Sequence, residues 1–400
     1  MTTLTATPTR LRHSALITMA LTSFTLVTAE FLPNGMLTDI AFDLGVSVGQ
    51  AGQMTTVTAF VGFFAALLAG VAFPRIDRRT LLAGLALAAA VSNLAVAVAP
   101  SLGLMLASRA LLGATISGFW SMSLVVAAKI AGPERLGRAV MFTTSGLSLA
   151  TILGVPLGVA LSTVAGWRTV FGVMAALCVA VGVGLLALLP RVPAAGAAPL
   201  AQLWQTLRRG DIALGLAGHV LTVFGHFVAY AYIRPALERV SSQPAILMLL
   251  LSLFGVGGFL GNLVAGAIAD RWLSQLALAI PAVIAVSILL VIGAHPQVFA
   301  VGIAMTLWGA AFAGWLIVIN TWTGRRAPLE AGGSLVTAGF QLAITAAAVT
   351  GGLLVDSLGV VWAYLTGVVV IVIGTVVFTV AERRPATATA PRLSPAGTHD

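Results

Sequence analysis

Long apolar runs recur along the whole chain, separated by short breaks that carry charges, Gly or Pro. They fall near 14–36, 50–73, 80–99, 102–128, 139–163 and 168–190, then near 212–236, 245–269, 274–294, 297–321, 333–355 and 360–381. A helix needs about 20 apolar residues to cross the roughly 30 Å hydrocarbon core, where no water is present to satisfy a free backbone. Each run therefore predicts one crossing. The first run is longer than the apolar stretch of a signal peptide, and further runs follow it, so it is kept as a helix. The expected fold class is an all-α membrane protein with twelve transmembrane helices.

Composition agrees. Of 400 residues, 59% are hydrophobic and only 8% charged, against about 25% charged in an ordinary soluble domain. Disorder is excluded, because it needs few apolar residues and many charges. Lys+Arg 21 and Asp+Glu 12 give a net charge of +9. No stretch forms a dense basic patch with interleaved aromatics, so a nucleic-acid partner is not expected. Topology accounts for the excess instead. All cationic residues except Arg109, Arg168, Arg234 and Arg239 fall on one side of a twelve-span path, while Asp39, Asp43, Glu238 and Asp356 fall on the other. The positive-inside rule then puts both termini in the cytoplasm. Cys178 is the single cysteine and lies in an apolar run. It reads as a small core residue, without disulfide or metal.

The runs divide into two sets of six. Residues 1–190 form the first half, 191–211 a cytoplasmic linker, 212–381 the second half and 382–400 a cytoplasmic tail. The linker is rich in Pro, Ala and Gly and ends in Leu203-Trp204-Gln205-Thr206-Leu207-Arg208-Arg209, the pattern of a short interfacial helix. Gly62, Phe63, Ala66, Leu67, Ala69, Gly70 and Arg75 align with Gly258, Phe259, Asn262, Leu263, Ala265, Gly266 and Arg271 at a constant offset of 196. A parallel six-plus-six duplication is one architecture of secondary transporters.

The loop after the second span reads Gly70-Val-Ala-Phe-Pro74-Arg75-Ile-Asp77-Arg78-Arg79. It resembles the Gly-x-x-x-Asp-Arg-x-Gly-Arg-Arg motif of the major facilitator superfamily. Within that superfamily, the whole chain resembles the twelve-helix drug:proton antiporters. Two positions depart, with Pro74 in place of the Asp and Asp77 in place of the Gly. In the family this Asp latches one conformation, so the latch here must use Asp77 or rely on the second copy, Gly266…Asp270-Arg271. Arg109-x-x-x-Gly113-x-x-x-x-Gly118 on the fourth span is similar to the family's second motif. Gly146…Gly154-Val-Pro156-Leu-Gly158 on the fifth resembles its antiporter motif. Gly70, Arg75, Asp77, Arg78, Gly154, Pro156, Gly158, Asp270 and Arg271 are the implied conformational-gate residues.

The first span reads Thr28-Ala-Glu30-Phe-Leu-Pro33-Asn34-Gly35. It resembles a signature of bacterial exporters of drugs, sugars and purine nucleosides. Glu30 is the one acid well inside a predicted crossing. At 1.5 Å per residue it lies roughly 9 Å below the outer surface, and Arg109 roughly 10 Å below it. The expectation is that the two share one polar site. Burial and a nearby guanidinium act in opposite directions on a carboxyl's affinity for a proton. The pair therefore either carries the coupling proton or is a fixed ion pair that holds packing.

On the seventh span His219, His226, Tyr230 and Arg234 follow at spacings of 7, 4 and 4, which places them on one helical face. That face either lines a central cavity or holds satisfied structural groups. Arg234 with Glu238 also reads as a rim pair. The tenth span places Trp308, Trp315 and Trp322 seven apart, with Phe312 between the first two. Trp322 reads as a boundary anchor. Trp308, Phe312 and Trp315 either face lipid or form a wall for a planar substrate, with Asn34 and Trp120 as further cavity candidates. Asn262, Asn320 and Gln341 read as interhelical hydrogen-bonding groups.

No His-Glu-x-x-His, Gly-x-Ser-x-Gly or phosphate-binding loop occurs in the sequence, so an enzyme is not expected. The resemblance implies the major facilitator fold, a bacterial cytoplasmic membrane and a functional monomer. It also implies proton-coupled efflux of a small organic compound, a drug, sugar or purine nucleoside, with no cofactor beyond the proton gradient. Uptake by symport is the alternative that the same fold supports.

Overall fold

The computed structural model describes residues 13–193 and 200–385; Arg10, Arg12, Arg392 and residues 194–199 of the linker lie outside them. No strand occurs among the described residues. The helices are α1 (His13–Phe31), α2 (Leu37–Leu44), α3 (Val48–Ala72), α4 (Arg78–Ala97), α5 (Leu102–Ala131), α6 (Leu136–Leu149) and α7 (Val155–Leu188). The linker holds α8 (Leu200–Arg208); the second half follows with α9 (Gly210–Tyr230), α10 (Ile233–Glu238), α11 (Pro244–Gly293), α12 (Val298–Arg326), α13 (Leu329–Leu358) and α14 (Val360–Arg383).

Ten continuous helical stretches are long and apolar enough to cross a membrane, and two of them span 53 and 49 residues. At 1.5 Å per residue these are about 80 and 74 Å long, enough for two crossings each. Both bend where a second crossing must begin. Gly166 takes φ 77°, a conformation open to glycine, and Trp272 leaves helical geometry at φ −115°, ψ 30°. The result is twelve crossings in two six-helix repeats.

The first and seventh runs end earlier than the apolar pattern suggests. α1 stops at Phe31 and passes into a single 3-10 turn, Leu32–Gly35, while α9 stops at Tyr230. Pro33 and Pro235 lack the N–H that would extend the ladder, and each run breaks just ahead of its proline. The short α2, which holds Asp39 and Asp43, follows the first break, and α10 follows the second. α8 is the linker helix, with Trp204 exposed and the Arg208 guanidinium 5.9 Å from its ring.

One apolar core lies within the first six crossings around Leu26, Leu112, Phe119 and Phe171. A second lies within the other six around Ile284, Met305, Trp308, Trp315 and Phe378. Glycine permits the closest approaches. A Cβ on Gly146 would fall 2.2 Å from the Ala20 carbonyl oxygen, and one on Gly225 2.4 Å from that of Gly367. These positions let α6 lie on α1 and α9 on α14. Across the repeats, α3 packs on α13 and α6 on α11. Cys178 is buried and accepts a weak hydrogen bond from Asn93 Nδ2 at 3.8 Å.

Candidate functional site

Glu30 is the penultimate residue of α1, and Arg109 projects from α5 with its side chain buried. The two come together through the backbone. Arg109 Nη1 donates to the carbonyl oxygen of Ala29 at 2.8 Å, one residue before Glu30. Its guanidinium lies 5.0 Å from the Phe171 ring. No Glu30–Arg109 ion pair within 4.0 Å is present among the described residues, so the fixed ion pair is not what the structure contains. Arg109 Nε and Nη2 are buried without a hydrogen-bond partner among the described residues, as are the hydroxyls of Ser23 and Thr28 on α1. Buried donors are nearly always satisfied. The unpaired Nε–H and Nη2–H donors beside a carboxyl-bearing residue form a ready receptor for its ionised form.

Across α1 lie the expected gate residues of the fifth crossing. A π-helical turn, Ala150–Gly154, interrupts the helix immediately ahead of Pro156. A Cβ on Gly154 would stand 2.1 Å from Thr28 Oγ1, and one on Gly158 2.2 Å from Leu32 Cδ2. The absence of side chains there brings this crossing against the residues that flank Glu30.

The second repeat holds an aromatic cluster. Trp308 Nε1 donates to His226 Nδ1 at 3.0 Å, and Trp315 Nε1 donates to His219 Nδ1 at 3.2 Å. Both indoles are fully buried, so Trp308 and Trp315 do not face lipid. Phe312 stacks on His226 with centroids 3.5 Å apart and planes 7° apart, and Tyr230 is also near-parallel to it at 5.3 Å and 17°. Phe227 and Trp308 meet this stack edge-on. Arg234 does not share the face. The helix breaks after Tyr230, and Arg234 pairs with Glu238 at 2.9 Å on α10 with most of its side chain exposed. Trp322 is not a lipid-facing anchor either; it is buried and donates to the Glu382 carboxylate. Trp120, with Asn320, borders a cavity of only about 10 Å3, roughly one water at most. Asn34 lies in the turn after α1, and its side chain falls outside what is described.

The repeats are tied together at the arginine-rich end. Arg78, fully buried, donates from Nε and Nη2 to Glu330 Oε1 at 2.8 and 2.6 Å. Its Nη1 reaches the carbonyls of Phe73 and Ile76. Asp77 does not replace the motif acid; it caps its own helix by accepting from the Arg79 N–H at 2.9 Å. Asp270 Oδ1 accepts from the Gly137 N–H at 3.0 Å, at the start of α6, and from Arg325 Nη2 at 3.2 Å. Arg75 and Arg271 are exposed, and Gly70 lies near the end of α3. Further in, Thr144 donates to Asn262 Oδ1 at 2.5 Å and Gln341 to Ser117 at 3.3 Å, both across the repeats. Asn320 bonds only its own helix, at the Leu316 carbonyl. Glu330 is the residue that sequence reasoning missed; its one signal is an acid in the first turn of a helix, just after Pro328.

Twelve crossings in two repeats, bridged by polar links, define a multi-pass membrane transporter. The chain belongs to the Major Facilitator Superfamily, whose sequence profile matches residues 19–335. It is 35% identical over 365 residues to the "Transcription regulatory protein OpdE" of Pseudomonas aeruginosa, covering 86% of this chain and 88% of that protein. It is 32% identical over 360 residues to the "Purine ribonucleoside efflux pump NepI" of Escherichia coli K12, covering 88% and 89%. Among solved structures, the proton:xylose symporter XylE superposes with TM-score 0.73 at 15% identity, covering 92% of this chain and 95% of that one. The human organic anion transporter MFSD10 gives 0.74 at 16%, covering 92% and 98%. These two share the fold. The protein is a transporter of small molecules and not an enzyme.

Proposed function

We propose that this transporter exports a purine nucleoside or a similar planar, heteroaromatic small molecule in exchange for protons. The observation that carries the substrate class is the Tyr230–His226–Phe312 ring stack on α9 and α12, read together with the nucleoside pump relative. These rings stack on one another in this conformation, so a flat base would take the place of one ring contact, each such pair being worth about 0.5–1.5 kcal/mol beyond burial. Asn34 and Trp120 remain candidates for contacts from the first repeat.

Proton coupling rests on Glu30. A proton arriving from outside neutralises the carboxyl, substrate leaves, and deprotonation toward the cytoplasm resets the site. The free N–H groups of Arg109 receive the ionised carboxyl in that step. The gate is the set of links at the arginine-rich end, with Gly154, Pro156 and Gly158 letting the fifth crossing rock against α1. The cationic asymmetry supports a cytoplasmic membrane with both termini inside. A monomer suffices, because one chain holds both repeats.

The test is an export panel in a host lacking its own pumps, with toxic purine analogues, antibiotics and non-metabolised sugars. Resistance to the purine analogues, lost in Glu30→Gln at equal expression, is the expected result. Greater accumulation by wild type would replace export with uptake. The Pseudomonas relative favours a second reading, in which occupancy of the transporter alters gene expression. A transcript profile that changes in a deletion strain and is restored by transport-dead Glu30→Gln would favour it.

A further inference from the structure

At the arginine-rich end of the second repeat lies a cavity of about 330 Å3, away from Glu30 and from the aromatic stack. It is bounded by the bend of α11 and the start of the ninth crossing (Arg271, Ser274, Gln275), by the end of α12 (Trp322, Arg325, Arg326) and by Glu382 of α14. Its one acid is already occupied. Glu382 accepts from Ser274 Oγ at 2.7 Å, from the Trp322 indole N–H and from Arg326 Nη2 at 3.1 Å. Arg326 is also spent, donating to the backbone carbonyls of Glu382 and Arg384 at 2.9 and 3.0 Å.

Two cations remain. Arg325 commits only Nη2, to Asp270, which leaves Nε and Nη1 without a partner among the described residues. Arg271 makes no ion pair or hydrogen bond among them and rests 5.6 Å from the Trp272 ring. The cavity thus presents unspent guanidinium donors and no unspent acid, an arrangement suited to the bidentate geometry of phosphate. Trp272 is 46% exposed at the bend beside it. An exposed tryptophan between two membrane crossings marks headgroup depth.

We propose that this cavity is a phosphate-binding site and that its occupant is the headgroup of an anionic phospholipid. Basic pockets between membrane helices hold such headgroups, and each basic residue near the surface contributes about 1 kcal/mol, or about fivefold in affinity. The phosphate sits against Arg271 and Arg325 while the acyl chains run along the outer face of the ninth crossing.

The test uses the purified full chain in neutral detergent, with binding read by native mass spectrometry. The probes are dihexanoyl phosphatidylglycerol, dihexanoyl phosphatidylcholine and glycerol 3-phosphate. The expected result is preferential binding of phosphatidylglycerol, weakened about fivefold in Arg271→Gln and about 25-fold in Arg271→Gln/Arg325→Gln. Arg271 makes no ion pair or hydrogen bond among the described residues and touches only the exposed Trp272 ring, so its variant separates loss of the site from loss of folding. Displacement of the lipid by equimolar glycerol 3-phosphate would keep the site and assign it to soluble phosphates; failure to displace assigns it to lipid. Equal binding of the two lipids by wild type, or an unchanged preference in Arg271→Gln, would overturn the proposal.

Discussion

The Trp308 indole N–H points at His226 Nδ1 across 3.0 Å, and one heptad away on both helices Trp315 makes the same bond to His219. In each pair the histidine is the acceptor, so each imidazole is held as the Nε2–H tautomer. His226→Phe keeps the ring but leaves the Trp308 N–H buried and unpaired. That costs about 1–3 kcal/mol, measurable as a lower midpoint of thermal unfolding in detergent. Removing both partners in His226→Phe/Trp308→Phe is expected to cost less than the sum of the single changes. A strictly additive cycle would show that the bond contributes nothing.

Glu30→Gln preserves shape and hydrogen-bonding capacity but cannot ionise. In everted vesicles it is expected to bring substrate movement driven by a pH gradient to background and to slow exchange of labelled for unlabelled substrate, because a neutral side chain at this position is the form that releases substrate. Gradient-driven movement at the wild-type rate would exclude Glu30 as the proton carrier.

Glu330→Gln removes the partner of a fully buried guanidinium. Breaking one side of a buried pair costs about 3–5 kcal/mol, and here the loss falls on the conformation in which the repeats meet at the arginine-rich end. Ser334 lies one turn further along α13 and is buried. In a Ser334→Cys background, labelling by a polar maleimide is expected to accelerate at least tenfold when Glu330→Gln is added. Cys178 is itself buried, so the reagent reports the new site.

Gly154→Ala places a methyl group 2.1 Å from Thr28 Oγ1 and 2.9 Å from Thr28 Cγ2. One of the two helices must shift, and transport is expected to fall sharply with little change in expression. Thr28→Ala removes both atoms, so the double variant should recover part of the transport rate. No recovery would locate the defect in the π-turn and not at the helix contact.

The crossings were legible because each is a long apolar run, and the charge asymmetry fixed their alternation. Two features of the ends were hidden. α2 reads as a loop because Asp39 and Asp43 interrupt its eight residues, and the end of α9 is masked by an apolar pattern that runs through Pro235. Arg234 was misplaced for that reason, since its face existed only if the helix continued. The sevenfold spacings of His219/His226 and Trp308/Trp315 were visible separately. Their pairing was not, because nothing in a single chain states that α9 and α12 lie side by side in opposite directions. Glu330 was overlooked because an acid at a helix start has an ordinary explanation in the helix dipole. Its partner is 252 positions away.

Arg78 is the first residue of α4 and so sits at the positive end of that helix. Only Glu330 and two loop carbonyls make the position tolerable, and Glu330 is available only while the repeats touch at this end. In the proposed gate, separation there strands the guanidinium, so opening on that side carries the cost of a buried, unpaired charge. Each 1.4 kcal/mol of this cost leaves about tenfold fewer molecules able to admit a ligand from the arginine-rich side, and weakens apparent affinity from that side by the same factor. The two faces of the membrane then see different affinities for one unchanged set of binding residues.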